Sequence, residues 1–269
     1  MDSVAPMPIV ETGNSRLRAL LKSPLESAAD NLTEYYPGLS ASQITFTGTV
    51  ACVGAAVAAA KAPGWAPSLS WVHLAGSLTD ALDGPVARAV AAKHGDITTA
   101  AGANFDAAND RLQEFSASSA QAQMAFERGD RLGGLLLLAF GVSSIFPSLT
   151  RSYAETKGIV VAEGKIGSRA TRVTLNCLGY HWSHHTNGVR LMAAAGTASN
   201  LYNACTRIAA LQPGSSHNIG ALSEKKQADA RSRRHLLGLM TVGMAVASAM
   251  QGQRGLAALR RRASLSGQT

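Results

Sequence analysis

Four aspartates between residues 80 and 110 carry the most specific chemical information in this chain. They lie in the stretch DALDGPVARAVAAKHGDITTAAGANFDAAND. Asp80 and Asp83 are three residues apart, and Asp106 and Asp110 are four apart. Helical residues at these spacings share a face. Two antiparallel helices carrying the pairs would therefore aim four carboxylates at one point. Left alone, such carboxylates repel one another. Hard divalent cations relieve that conflict. An all-oxygen donor set suits Mg²⁺ or Mn²⁺, whose shells are often completed by substrate phosphates. Two ions held side by side could clamp a pyrophosphate and stabilise both the attacking and the leaving oxygen. Small residues flank the acids: Gly84 and Ala87 after Asp83, and Gly102 one turn before Asp106. They leave room for a nucleotide, and Arg88 can pair with a phosphate. The plainer reading, ordinary charges on the surface of soluble helices, fits poorly among neighbours this apolar.

The elements that must position these residues read as helices. Nearly charge-free stretches cover residues 42–60, 62–79, 132–150, 173–189, 191–206 and 235–253. Each is at the short edge of the roughly 17–25 residues that cross a bilayer. Several in one chain, joined by short charged connections, predict a polytopic bundle. A further helix over about 97–124 carries Asp106, Asp110, Arg111 and Glu114. If it spans, its acids must face the bundle interior or a wet cavity. Residues 1–14 read as disordered. Residues 15–35 predict an amphipathic interfacial helix, broken near Pro24.

The expected fold is all-α: a membrane bundle of about six transmembrane helices, with an N-terminal interfacial helix and an extra C-terminal hydrophobic helix. This divides the chain into a tail and interfacial helix (1–37), a membrane domain (38–211) and a basic extension (212–269). The 235–253 segment fits least neatly. As a seventh span it would place Arg260, Arg261 and Arg262 outside, against the positive-inside tendency. A re-entrant, interfacial or partner-packing helix is the alternative.

Composition alone decides little. Hydrophobic residues make up 46 % and mean hydropathy is +0.05. The net charge of +8 suits nucleic acid, an anionic lipid surface or a phosphorylated substrate. The basic residues gather at 16–22, 151–172, 225–234 and 254–262, outside most of the apolar stretches. That placement favours lipid and phosphate over nucleic acid. With the N-terminus in the cytoplasm, the loop 151–172 and residues 225–234 also fall in the cytoplasm, as does the acidic site. The first residues lack a basic start and an apolar run, so no cleaved leader is expected.

Other residues read as structural. Cys52, Cys177 and Cys205 fit neither a zinc site nor a disulfide framework and are expected in the core. His73 is expected to pack in the interior. His181, His184 and His185 share metal-like spacing, but an interface role suits the end of a short helix better. Trp65, Trp71 and Trp182 suit interfacial anchors.

The pattern D-x2-D-G-x2-A-R followed by G-x3-D-x3-D resembles the signature of the CDP-alcohol phosphotransferase family. Here it reads DALDGPVAR from Asp80 to Arg88 and GANFDAAND from Gly102 to Asp110. The resemblance runs from about residue 38 to 211. It implies a six-helix membrane enzyme, usually a homodimer, with its site open to the cytoplasm. It also implies that Asp80, Asp83 and Asp106 bind metal. Asp110 would bind a second ion and act as general base on the acceptor hydroxyl, which attacks the β-phosphorus of a CDP-lipid and releases CMP. Gly84, Arg88 and Thr99 would hold the CDP-lipid, and Ser40, Ala41, Ser42 and Gln43 fall at another nucleotide-contacting turn. Two departures stand out. Thirteen residues separate Arg88 from Gly102, a longer interval than is usual, and the 40–43 turn lacks its usual proline.

The segments SLTRSYAETKG and KIGSRATRVTL are similar to the arginine-bearing loop of phosphatidylinositol-phosphate synthases. By position, Arg151, Arg169 and Arg172 match the arginines that would bind the phosphate of the acceptor. A guanidinium cluster at helix ends suits that task. Inositol phosphate is the preferred acceptor, with glycerol 3-phosphate the alternative. A divalent-cation transporter and a non-catalytic lipid-binding protein are the competing readings from other classes.

Overall fold

The computed structural model describes residues 15–94, 100–161, 166 and 168–266. Helix α1 (Ser15–Tyr35) leads into α2 (Ala41–Lys61), a 3-10 turn (Pro63–Trp65) and α3 (Ala66–His94). Then follow α4 (Ala100–Glu127), α5 (Arg131–Ser143) and α6 (Phe146–Thr156). Helices α7 (Arg169–His181) and α8 (Thr186–Ala209) precede the long α9 (Glu224–Ser266). Among the described residues one small antiparallel ladder interrupts the helices: β1 (Ile159–Val161) pairs with β2 (Asn218–Ala221), Ile159 opposite Ala221.

The exterior is apolar and the interior is partly polar. Leu191, Leu201, Leu239, Val242, Val246 and Trp71 are exposed, whereas Arg111, Gln113, Glu114, Gln121, Asn176, Asn200 and Asn203 are buried. Water would penalise such an outside; lipid accepts it and drives the polar groups inward. Two helical stretches are long and apolar enough to cross a membrane, Ala41–Lys61 and Arg131–Thr156. The other described helices carry inward polar side chains, which lowers their average hydropathy.

Helices α2 and α3 approach through small residues. Buried Thr45, Gly48, Thr49, Cys52, Ala55, Ala56 and Ala59 form one stripe on α2. A Cβ on Gly48 would collide with the Gly76 carbonyl and the Thr79 side chain. A Cβ on Gly76 would lie 2.8 Å from Cys52 Sγ. Such a backbone-to-backbone crossing needs glycine. It sets α2 against the part of α3 that leads to Asp83.

Four expectations are corrected. Helix α1 runs through Pro24 without a break. A proline lacks one donor, yet the helix continues around it. The helix expected from the apolar stretch 62–79, which would leave Asp80 and Asp83 at its end, instead extends to His94 through Pro85, so both acids lie well inside α3. The apolar stretch 132–150 is two helices. Pro147 sits in the first turn of α6, and Ser148 N donates to the Ile145 carbonyl, 3.1 Å away. A continuous helix would have used the Ser144 carbonyl, which the break leaves for another donor. Of the cysteines, Cys52 is buried and Cys177 half-buried, but Cys205 is exposed on α8. An apolar neighbourhood does not mean an inward position when the surroundings are lipid.

Helix α9 runs alongside α4 in the same direction. Asn104 Nδ2 donates to Ser232 Oγ (2.9 Å), Gln251 Nε2 donates to the Ser119 carbonyl (2.7 Å), and Gly255 packs on Phe126. Leu237 and Met244 face inward with Ile145, while Leu239, Val242, Val246 and Met250 face outward. The segment therefore packs as a full-length member of the bundle. A cavity of about 770 Å³ lies between α2, α4 and α9, against Ser116, Phe126 and Arg254, in the half away from the acids.

Candidate active site

The site forms where the first turns of α2, the second half of α3 and the first half of α4 meet. Ser40 caps α2: its Oγ accepts from Gln43 N (3.3 Å), and Gln43 Oε1 accepts from Ser40 N (2.9 Å). This reciprocal capping box fixes where α2 begins. One turn on, Thr45 Oγ1 donates to Asp83 Oδ2 at 3.0 Å. Sequence reading missed Thr45, although it lies on the same face of α2 as Gly48 and Thr49.

Asp83 and Asp106 are within hydrogen-bonding reach of one another across α3 and α4. Asp110 is one turn further along α4 and near enough for its charge to interact with Asp106. Two of the four predicted carboxylates thus meet directly, with Asp110 one turn away; the side chain of Asp80 and residue Thr99 lie outside the described ones. Asp106 Oδ1 is buried without a hydrogen-bond partner among the described residues. Facing acids, one with a stranded oxygen, fit a hard divalent cation. Among the described residues no group of three or more ligand-type side chains is already gathered around one point.

A buried network holds Asp110. Arg169 Nη2 lies 2.8 Å from Asp110 Oδ1, and Arg111 Nη2 donates to Oδ2 at 3.3 Å. The Asp110 side chain keeps 14 % of its surface exposed. Arg111 Nη1 donates to Glu114 Oε2 (2.9 Å) and to the Ser144 carbonyl (2.7 Å) freed by the α5–α6 break. Gln113 ties three helices: its Nε2 donates to Thr49 Oγ1 (2.9 Å), and its Oε1 accepts from Arg169 Nη2 (3.3 Å). Arg111, Gln113 and Glu114 escaped the sequence reading as site residues. Their signal was position, since Glu114 lies four residues after Asp110 on the same face.

The three arginines expected at the acceptor separate. Arg169 faces Asp110. Arg172 is buried and donates to both oxygens of Glu114 at 2.9 Å. Arg151 is 53 % exposed and pairs with Glu155 at 2.9 Å. On the nucleotide side, the space over Gly84 is bounded by Arg88, whose Nη1 is 3.6 Å from a would-be Cβ. Arg88 is exposed and 3.7 Å from Glu26 of α1. Ala87 and Gly102 are half-buried, Ala41 is half-buried and Ser42 exposed. His73 is buried edge-on to Tyr180, with ring centroids 5.7 Å apart. His181, His184 and His185 are exposed, as are all three tryptophans.

The family model described as CDP-alcohol phosphatidyltransferase matches residues 39–200, which takes in all four aspartates. Among solved structures, the chain is similar to phosphatidylinositol phosphate synthase of Mycobacterium tuberculosis, solved with CDP-DAG bound. The TM-score is 0.58 at 25 % identity, over 73 % of this chain and 98 % of that one. Among curated proteins none matches. Helix α9 lies beyond the family match.

Proposed function

Because this chain belongs to the CDP-alcohol phosphatidyltransferase family, we propose that it transfers the phosphatidyl group of CDP-diacylglycerol to a phosphorylated alcohol, inositol phosphate in first place. The acceptor oxygen attacks the β-phosphorus. The bond from that phosphorus to the CMP oxygen breaks, and CMP leaves with the electron pair. Asp110 takes the proton of the acceptor hydroxyl. Arg169 and Arg111 hold its carboxylate in one orientation, and a partly exposed edge lets a hydroxyl reach it. Arg88 and the open space over Gly84 suit the nucleotide pyrophosphate.

Asp80, Asp83, Asp106 and Asp110 are the residues that would hold Mg²⁺ or Mn²⁺. Bound there, the cations would neutralise charge on the pyrophosphate and polarise its phosphorus. Thr45 orients Asp83 for that task.

The observation that carries this reading is the meeting of Asp83 and Asp106 across two helices within the family's motif. The choice of a phosphorylated acceptor is supported by Arg169 beside Asp110 and by the likeness to a phosphatidylinositol phosphate synthase. Glycerol 3-phosphate is the second reading, since the same arginines would serve it.

In the membrane, the acidic end faces the cytoplasm. That end carries Arg88, Lys93, Arg151, Lys157, Arg169, Lys225, Lys226 and Arg233, the greater share of basic residues. Helix α9 then crosses beside α4 and adds a span to the six of residues 38–211. The direct test is purified protein with CDP-diacylglycerol, Mn²⁺ or Mg²⁺, and a panel of alcohols, followed by mass analysis of the lipid product. A phosphatidylinositol phosphate mass is expected. A product made only with an unphosphorylated alcohol would remove the acceptor assignment.

A further inference from the structure

Helix α9 reaches the acidic end of the bundle and brings an arginine near the site. Ser232 accepts from Asn104, two residues before Asp106, so the first half of α9 is pinned to the start of α4. The next residue, Arg233, is close enough to Asp106 for its charge to act on that carboxylate. Its Nη1 donates to Glu155 Oε2 at 3.0 Å, while Arg151 Nε donates to Glu155 Oε1 at 2.9 Å. One carboxylate is thus held between two guanidinium groups, one from α6 and one from α9. Arg233 Nε is buried and has no hydrogen-bond partner among the described residues. A buried donor of this kind is costly unless something fills it. Arg234 adds to the local positive charge, with its guanidinium 5.9 Å from the Tyr153 ring.

We infer that Arg233 and Arg151 form an anion clamp for the phosphate of the acceptor alcohol, with Glu155 occupying in the free enzyme the place that phosphate takes. Two guanidinium groups against one carboxylate leave an excess positive charge. A phosphate dianion matches it better and offers oxygens for the stranded Nε. The exchange is accessible because Arg151 is 53 % exposed and Arg233 22 %. Specificity for a phosphorylated acceptor would then come in part from a helix outside the family-matched residues. The inference rests on the proposed phosphorylated acceptor.

The test uses full-length protein in lipid nanodiscs, with CDP-diacylglycerol, Mn²⁺ and inositol phosphate or glycerol 3-phosphate, whichever the wild type consumes. Arg233→Ala should raise the KM for the acceptor about tenfold or more, since a charge-assisted contact is lost. Its kcat and its KM for CDP-diacylglycerol should stay within about threefold of wild type, and Arg233→Lys should recover part of the loss. Glu155→Gln separates the clamp from a merely structural ion pair. It removes the competing charge, so acceptor KM should fall or hold. If Glu155→Gln and Arg233→Ala raise acceptor KM equally, or if Arg233→Ala leaves it unchanged, the clamp is overturned while the acceptor reading stands. A wild type that turns over only unphosphorylated alcohols would instead remove the reading beneath it.

Discussion

Arg172 donates from Nε to both oxygens of Glu114 at 2.9 Å, and both side chains are almost fully buried. Arg111, equally buried, takes the same carboxylate from the other side. One acid therefore binds two arginines in the middle of the bundle, and Arg111, which also reaches Asp110, links Glu114 to the orientation of that carboxylate.

Glu114→Ala should be severely destabilising. Removing one partner of a buried pair costs about 3–5 kcal/mol, and here two buried guanidinium groups would each lose a carboxylate. The thermal unfolding midpoint in detergent should fall sharply, with Glu114→Gln less affected because it can still accept hydrogen bonds. An unchanged midpoint for Glu114→Ala would show that the network is not a structural element.

Thr45→Val should weaken metal binding without unfolding the protein. The substitution keeps the shape of the side chain and removes the hydroxyl that orients Asp83. Losing a supporting hydrogen bond of this kind lowers metal affinity about 10–100-fold. Mn²⁺ titration followed by electron paramagnetic resonance measures this directly, with Asp83→Asn as the more severe control.

Gly76→Val should separate α2 from α3. A side chain there meets Cys52 and the Gly48 carbonyl. Forcing volume into a packed contact costs about 1–3 kcal/mol. Because the same crossing places Thr45 beside Asp83, activity should fall along with the unfolding midpoint. Gly54→Ala on the other face of α2, where nothing lies within 4 Å of the added carbon, should leave both unchanged.

Much of the site was legible because helical spacing is rigid. The interval from Asp106 to Asp110 fixes a shared face on α4, whereas the approach of Asp83 on α3 to Asp106 comes from helix packing that spacing does not dictate. The broken helix at Ser144–Ile145 was not legible, since residues 132–150 read as one apolar run and a proline near a helix start is unremarkable. Nor was the reach of α9. Its apolar centre, 235–253, is visible in the sequence, but its direction depends on contacts such as Asn104 to Ser232. The arginines illustrate the same limit. Arg151, Arg169 and Arg172 look equivalent as loop cations, and only the positions of Glu155, Asp110 and Glu114 distinguish them.

The most direct measurement of the central claim is CMP release from CDP-diacylglycerol by wild type and Asp110→Asn, with Mn²⁺ present or chelated and acceptor present or omitted. Release should require both metal and acceptor in the wild type and fall about 100-fold or more in Asp110→Asn, the scale of a lost general base. Wild-type turnover by the variant, or release indifferent to metal, would contradict transfer at this cluster of acids.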